Sequence, residues 1–425
     1  MPSTAGHERG GRARDPTAAW AASGAMALTG RPEGRPLGPP APLVPRLDEV
    51  ASLVSQRSSA LGHAVLVDPL EVLAARAAIA GLQRGGQVSC GGATRLLPTR
   101  DGWIAVSLAR PDDVDLVAAW LELDDVPGPE VWPAVARSVL ACATDELVAR
   151  GALLGMPVGG LPAAPPTAPR ASLPLAPLPC RADRLGDHAA TTDLADLLVV
   201  DLSSLWAGPL CGSLLARAGA RVVKVESTGR PDGARHGPSA FFDLLNGDKR
   251  SVAVDLRTRE GRSSLRALVE HADVVVEASR PRALGQLGID AEAGGGAGRP
   301  RVWVSITGHG RRAPGRDRVA FGDDAAVSGG LVAWDGGRPF FCADAVADPA
   351  TGLVAAAACL DALASGGRWL LDVALAGVAA HLAGPTLPVP TGLAPAPPAA
   401  PAPARPAPGL GEHTAELLAE VGAAP

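Results

Sequence analysis

The sequence predicts an α/β fold: a Rossmann-like parallel sheet with crossover helices, joined to a smaller α+β domain. Two observations in VVDLSSLWAGPLCGSLLARAGARVVKVE, residues 199–226, carry the prediction. Val199, Val200 and Leu202 form an apolar run of strand length, followed by a loop and, from Gly208 and Pro209, an apolar run at helical spacing. Gly219 then closes the helix, and RVVKVE supplies a second β-branched strand after a short turn, the start of a βαβ unit. A third observation is that strand-like and helix-like runs continue to alternate up to about residue 310.

Taken in order, residues 1–18 are polar and rich in Gly and Arg and are expected to form a flexible arm. LDEVASLVSQRSSAL and PLEVLAARAAIAGLQ, between residues 46 and 84, have helical periodicity. RGGQVSCGG is a glycine-rich connection, and TRLLPTRDGWIAVSLA reads as two strands around Asp101 and Gly102. Helical segments follow to about residue 160. The proline-rich stretch that begins there makes 161–192 an extended linker. Residues 193–383 hold the βαβ half and an apolar helix near 352–364; 384–408 is a Pro/Ala-rich linker; and 409–425 is a terminal helix. An internal repeat stands out: AAWAASGAMALTGRPEGRP at 18–36 returns as DDAAVSGGLVAWDGGRP at 323–339.

Composition excludes several classes. A chain of 425 residues can bury one large core or two smaller ones. The net charge of −5, with signs interspersed, leaves no basic stripe for nucleic acid. Six scattered cysteines without CxxC spacing argue against a metal site or a disulfide framework, and the expected setting is cytoplasmic. The run at 352–364 contains Asp361 and is shorter than the roughly 20 residues a bilayer needs, so a core helix rather than a membrane span is expected.

DLSSLWAGP with LLARAGARVVKVE, GDKRSVAVDL (247–256), the segment 260–290 and VWVSITGHG (302–310), in this order, resemble family III CoA-transferases. This family includes formyl-CoA and carnitine CoA-transferases and α-methylacyl-CoA racemases. The terminal LGEHT helix also resembles that family. Segment 19–160 resembles its small domain and return segment, displaced here to the front of the chain.

The resemblance implies CoA transfer between an acyl-CoA thioester and a carboxylic acid, with CoA as substrate, no permanently bound cofactor, and a homodimer, interlocked in the family but here joined either by threading or by a simpler contact. It places the nucleophile at Asp348, four residues before Gly352 in ADPATGLVAAAA. It places CoA contacts at Trp206, Ala207, Val254, Asp255, Ala278 and Thr307. The residues themselves also allow Asp348 to be an ordinary helix cap. Asp344 is the near alternative nucleophile and Asp48 a weaker one. Asp323 and Asp324 read as a solvated helix start.

Ser227 and Gln286 stand where some members carry nucleotide-pairing arginines, with Lys224, Arg230, Arg235, Lys249, Arg250, Arg280 and Arg282 nearby as substitutes. Gly85, Gly86 and Gln87 resemble a mobile shielding loop of formate-specific members, although a plain turn is the favoured reading. Racemisation and non-catalytic CoA binding are the competing functions. The absence of histidine from residues 317–331 counts against the first, and the missing arginines and displaced segment suggest the second.

Overall fold

A computed structural model describes residues 14–125, 131–292 and 299–423. Its main sheet has seven strands in the order β4-β12-β9-β8-β5-β6-β7. The chain-order ranges for all twelve strands are β1 Thr94–Pro98, β2 Trp103–Ser107, β3 Val158–Gly160, β4 Arg181–Gly186, β5 Leu198–Asp201, β6 Arg221–Ser227, β7 Arg250–Val254, β8 Val274–Glu277, β9 Val302–Thr307, β10 Ala333–Asp335, β11 Arg338–Phe340 and β12 Arg368–Ala374. From β12 to β7 every neighbouring pair is parallel.

The central strands β5, β8 and β9 are buried along their whole length, as expected for a sheet covered on both faces. Chain order runs outward in both directions from β5 and β8. The crevice between these two strands, at their carboxyl ends, is therefore the topological switch point where open α/β sheets bind ligands.

One face of the sheet is covered by the helix Ala347–Ser365, which packs on the helices Ala207–Arg217 and Leu43–Leu61. Close approach is possible because Gly352 lacks a side chain: a Cβ there would lie 2.6 Å from the Ala207 carbonyl oxygen. The helix is long and apolar enough to cross a membrane, yet nearly all of it is buried inside the fold, in accord with the expected core helix. The opposite face is covered by the helix Arg259–His271 and the terminal helix Thr414–Glu420, whose Leu417 and Leu418 are buried. The smaller unit is an antiparallel sheet β1-β2-β3 with its own core, centred on Trp120 and Val135.

Three expectations need correction. Arg181–Gly186, assigned to the proline-rich linker, is the antiparallel edge strand β4, paired with β12. Its sequence RADRLG is polar because an edge strand facing water needs no apolar run. Residues 14–18 are not part of an arm. Asp15 caps, and Pro16 opens, the helix Pro16–Ala22, and the Arg14 guanidinium bonds Asp48 and Asp68; the rest of the expected arm, 1–13, lies outside the described residues. Finally, the helices between residues 16 and 80 share the core of the large sheet rather than that of the small unit.

Residues 384–408 carry no helix or strand but lie along the N-terminal segment, with Leu387 N–H bonded to Pro39 and Ala396 N–H to Ala21. The ends of the two sequence repeats also meet: Arg31 pairs with Asp335 and lies over the Phe340 ring.

Candidate active site

Two loops in unusual backbone conformations converge at the carboxyl end of the sheet. In the loop after β5, Leu205 has φ +69° and its N–H is held by buried Asp232, which is itself paired with Lys224 at 2.8 Å. In the loop before the helix Ala347–Ser365, Ala343 and Ala345 have φ of +55° and +43°. Such conformations cost about 1–3 kcal/mol each and persist only where the surroundings impose them. Here the Thr29 hydroxyl takes the Ala343 N–H at 3.0 Å, and the Asp323 carboxylate takes the Ala345 N–H at 3.1 Å.

This loop delivers Asp348 in the first turn of its helix. The cap position belongs to Val346, so Asp348 is not the helix cap, and its carboxylate is bonded instead by the Gly322 N–H. Asp348 keeps partial solvent exposure, while neighbouring Asp344 and Asp324 have none. Loss of water around the carboxyl group pushes its pKa up to about 7. Arg76 opposes the rise, and Asp323 and Asp344 add to it. Asp323 is likewise raised to about 7 by burial and by Asp344. The expected solvated helix start at Asp323 and Asp324 is thus incorrect: both are buried, because the helix Gly322–Ser328 is packed under the strained loop.

Arg76 was not legible as a site residue. It projects from the helix Pro69–Ala80 and grips Asp344 with Nε at 2.8 Å and with Nη2, its guanidinium carbon 5.5 Å from the centre of the Trp206 ring. Asp344 is therefore an ion-pair partner buried beneath the site. The partners are 268 residues apart in the chain, so no local motif announces the pair. Cys90 lies beside Asp344 and Asp323, and burial, with the charge of those two acids, pushes its thiol well above the ordinary range, far from a thiolate nucleophile. Asp48 pairs with Arg14 at the surface.

The residues expected to contact CoA all lie at the carboxyl ends of parallel strands: Trp206 and Ala207 after β5, Val254 and Asp255 at β7, Ala278 after β8 and Thr307 at the end of β9. Trp206, Ala207, Val254 and Thr307 are buried; Ala278 is exposed. Trp206 is packed edge-on against Phe241, ring centres 5.2 Å apart. The Thr307 hydroxyl donates to Asp372 and accepts the Gly310 N–H. Asp255 is held down to about pKa 2 by hydrogen bonds from Arg257.

Among the substitute cations, four are committed to the fold: Lys224 pairs with Asp232, Arg235 with Glu226, Lys249 with Asp201, and Arg250 with Glu416. Arg230, Arg280 and Arg282 have no acidic partner within ion-pair distance among the described residues. Partial burial lowers the Arg280 pKa, as does the positive field of Arg282, Arg110 and Arg230. Arg280 Nη1 would lie 3.6 Å from a Cβ on Gly155, and the Gly155 carbonyl accepts from Arg110, which places the small unit beside this patch. Gly86 and Gln87 are pinned to the second hairpin: the Phe341 N–H bonds the Gly86 carbonyl, and Gln87 bonds Pro339 and Arg338, as a turn would. No group of residues suited to a metal occurs among the described residues.

The fold and site define an α/β protein with a strained, carboxylate-bearing loop near a switch-point crevice, where open α/β sheets bind ligands. Residues 194–402 match the model of CoA-transferase family III. Over 150 residues it is 35% identical to succinyl-CoA–D-citramalate CoA-transferase of Chloroflexus aurantiacus, covering 34% of this chain and 37% of that one. Over 207 residues it is 34% identical to succinate–glutarate CoA-transferase of Agrobacterium fabrum, covering 44% and 51%. A solved CaiB/BaiF family protein from Brucella suis aligns with 34% identity and a TM-score of 0.40, covering 44% of this chain and 54% of that one. The chain thus spans about a third to a half of the length of these curated relatives.

Proposed function

We propose that the protein transfers CoA between an acyl-CoA thioester and a carboxylic acid, with Asp348 as the nucleophile. The observation that carries the reading is a half-buried aspartate at the end of a strained loop, bonded by the Gly322 N–H and beside the first βα loop of a segment that matches CoA-transferase family III. Relatives named succinyl-CoA–D-citramalate, succinate–glutarate and formyl-CoA:oxalate CoA-transferases support a small organic acid as the substrate class.

The ionised Asp348 oxygen attacks the thioester carbonyl, the C–S bond breaks, and CoA thiolate departs from a mixed anhydride. The thiolate then attacks the Asp348 carbonyl carbon, releasing the first acid as its carboxylate and leaving aspartyl-CoA. A second acid attacks this thioester, forming a new anhydride. Returning thiolate takes the new acyl group, and Asp348 is regenerated.

The switch-point crevice would receive CoA, with Arg230, Arg280 and Arg282 toward its phosphates. A cytoplasmic setting suits six unpaired cysteines and a CoA substrate, and a homodimer accords with the family. The test is exchange of labelled acyl groups between succinyl-CoA and a panel of short dicarboxylic acids. Wild type is expected to exchange, and Asp348→Ala to lose the activity by several orders of magnitude while its circular dichroism and melting are retained. Full activity in a folded Asp348→Ala protein would disprove the assignment.

A further inference from the structure

The segment that leads the chain reaches the carboxylate loop through one side chain, Arg76. It lies between two features of the site: Asp344, which it grips with Nε and Nη2, and the ring of Trp206, whose face it covers. Asp344 is fully buried, so this fork fixes the guanidinium more firmly than a surface pair would. Three carboxyl groups, Asp323, Asp344 and Asp348, are crowded together here. They come from the start of the helix Gly322–Ser328, the strained loop and the start of the helix Ala347–Ser365. The ionisable groups coupled to Asp348 from the packed elements are Asp323, Asp344 and Arg76, together with buried Asp324, whose own pKa is raised by burial and by the Asp348 charge; Cys90 stands next to Asp344 and Asp323 as a neutral thiol. Arg76 is the cation in this set.

We propose that Arg76, clamped by Asp344 and seated on Trp206, is a positioning residue that keeps Asp348 in its ionised, attacking form, so that the displaced N-terminal segment completes the active site. This proposal rests on Asp348 being the nucleophile. Without a neighbouring cation the three acids would share protons, as carboxyl groups at close quarters do, and the fraction of ionised Asp348 at neutral pH would fall. The fork to Asp344 requires the planar guanidinium; a lysine retains the charge but not the two-point grip.

The test measures Asp348 protonation directly and activity separately. Carboxyl-carbon NMR of protein labelled at aspartate, with Asp348→Asn to assign the resonance, gives the Asp348 titration midpoint. In Arg76→Met the midpoint is expected to rise by about one unit or more, with the acid limb of the transfer rate moving by the same amount. Arg76→Lys is expected to restore most of the midpoint. Asp323→Asn leaves the Arg76–Asp344 pair intact and is expected to move the midpoint down, which keeps the test decisive if Arg76→Met does not fold. An unchanged midpoint in folded Arg76→Met, or an unchanged midpoint in Asp323→Asn, overturns the proposal. Midpoints that move as expected in a protein that transfers no acyl group would overturn the transferase reading, and with it the attacking role of Asp348, while still showing that Arg76 sets the charge of that carboxyl group.

Discussion

At the scale of single residues, the energetics of the site are set by acids that the fold deprives of water. Asp348 and Asp323 are both raised to about 7, against an ordinary aspartate value near 3.8. Between these limits the folded state binds more protons than the unfolded chain, so stability falls as pH rises through the window and the full cost is present above pH 7. Asp323→Asn and Asp348→Asn are therefore expected to be more stable than wild type at pH 8. The gain should fade as pH falls toward 4, read from urea midpoints at a series of pH values. A gain independent of pH would show that packing rather than charge is responsible. The sequence singled out Asp348 only through the family resemblance of the ADPATG pattern, since an aspartate there reads by itself as a helix cap. It did not display Arg76, whose partner is distant in the chain, or the burial of Asp323 and Asp324, since two acids opening a helix look the same whether water or protein lies beyond them.

The elements show how the first loop is held still. Lys249 donates to Asp201 at 2.7 Å, to the Pro209 carbonyl and to Asn246, and Asp201 accepts the Ser203 N–H; the whole set is buried beneath the turn from β5 into the helix Ala207–Arg217. Burial disfavours the charge on each partner, and the Lys249–Asp201 attraction compensates. Removing one partner leaves the other charged and buried, a loss of roughly 3–5 kcal/mol in comparable pairs. Lys249→Met is expected to lower the urea midpoint accordingly, whereas Arg257→Met at the exposed Asp255 pair should change it little. Packing provides a second test at this scale. Gly352→Val would drive a branched side chain into the Ala207 carbonyl and Leu210, separating the two helices that frame the site, and should abolish transfer through misplacement of Asp348. The strands β5, β6 and β1–β2 were legible because β-branched runs and turn signals coincide there. The edge strand β4 was not, because its pairing depends on a bare β12 edge rather than on its own composition.

For the whole molecule, the sequence suggested an order of segments but not its physical consequence. The proline-rich stretches suggested unit boundaries, but the first of them runs into strand β4, and no local pattern reveals that the helices 43–80 pack into the large core and bring Arg76 to Asp344. Charge is distributed by the same logic. The cations nearest β5 to β7 are paired internally, which leaves Arg230, Arg280 and Arg282 without an acidic partner among the described residues of a chain with net charge −5, beside Arg110 of the small unit, which pairs with Asp113. A patch that leaves its own charges unpaired while the remainder of the protein is acidic is suited to a polyanion entering at that point. Arg280→Gln and Arg282→Gln are each expected to weaken CoA binding by about five- to tenfold, with a shallower salt dependence, in calorimetric titrations. Binding of a pantetheine thioester, which lacks the nucleotide phosphates, should be unaffected. Equal losses for CoA and the pantetheine thioester would place these arginines in the architecture of the crevice rather than against the phosphates, because only a phosphate contact distinguishes the two ligands.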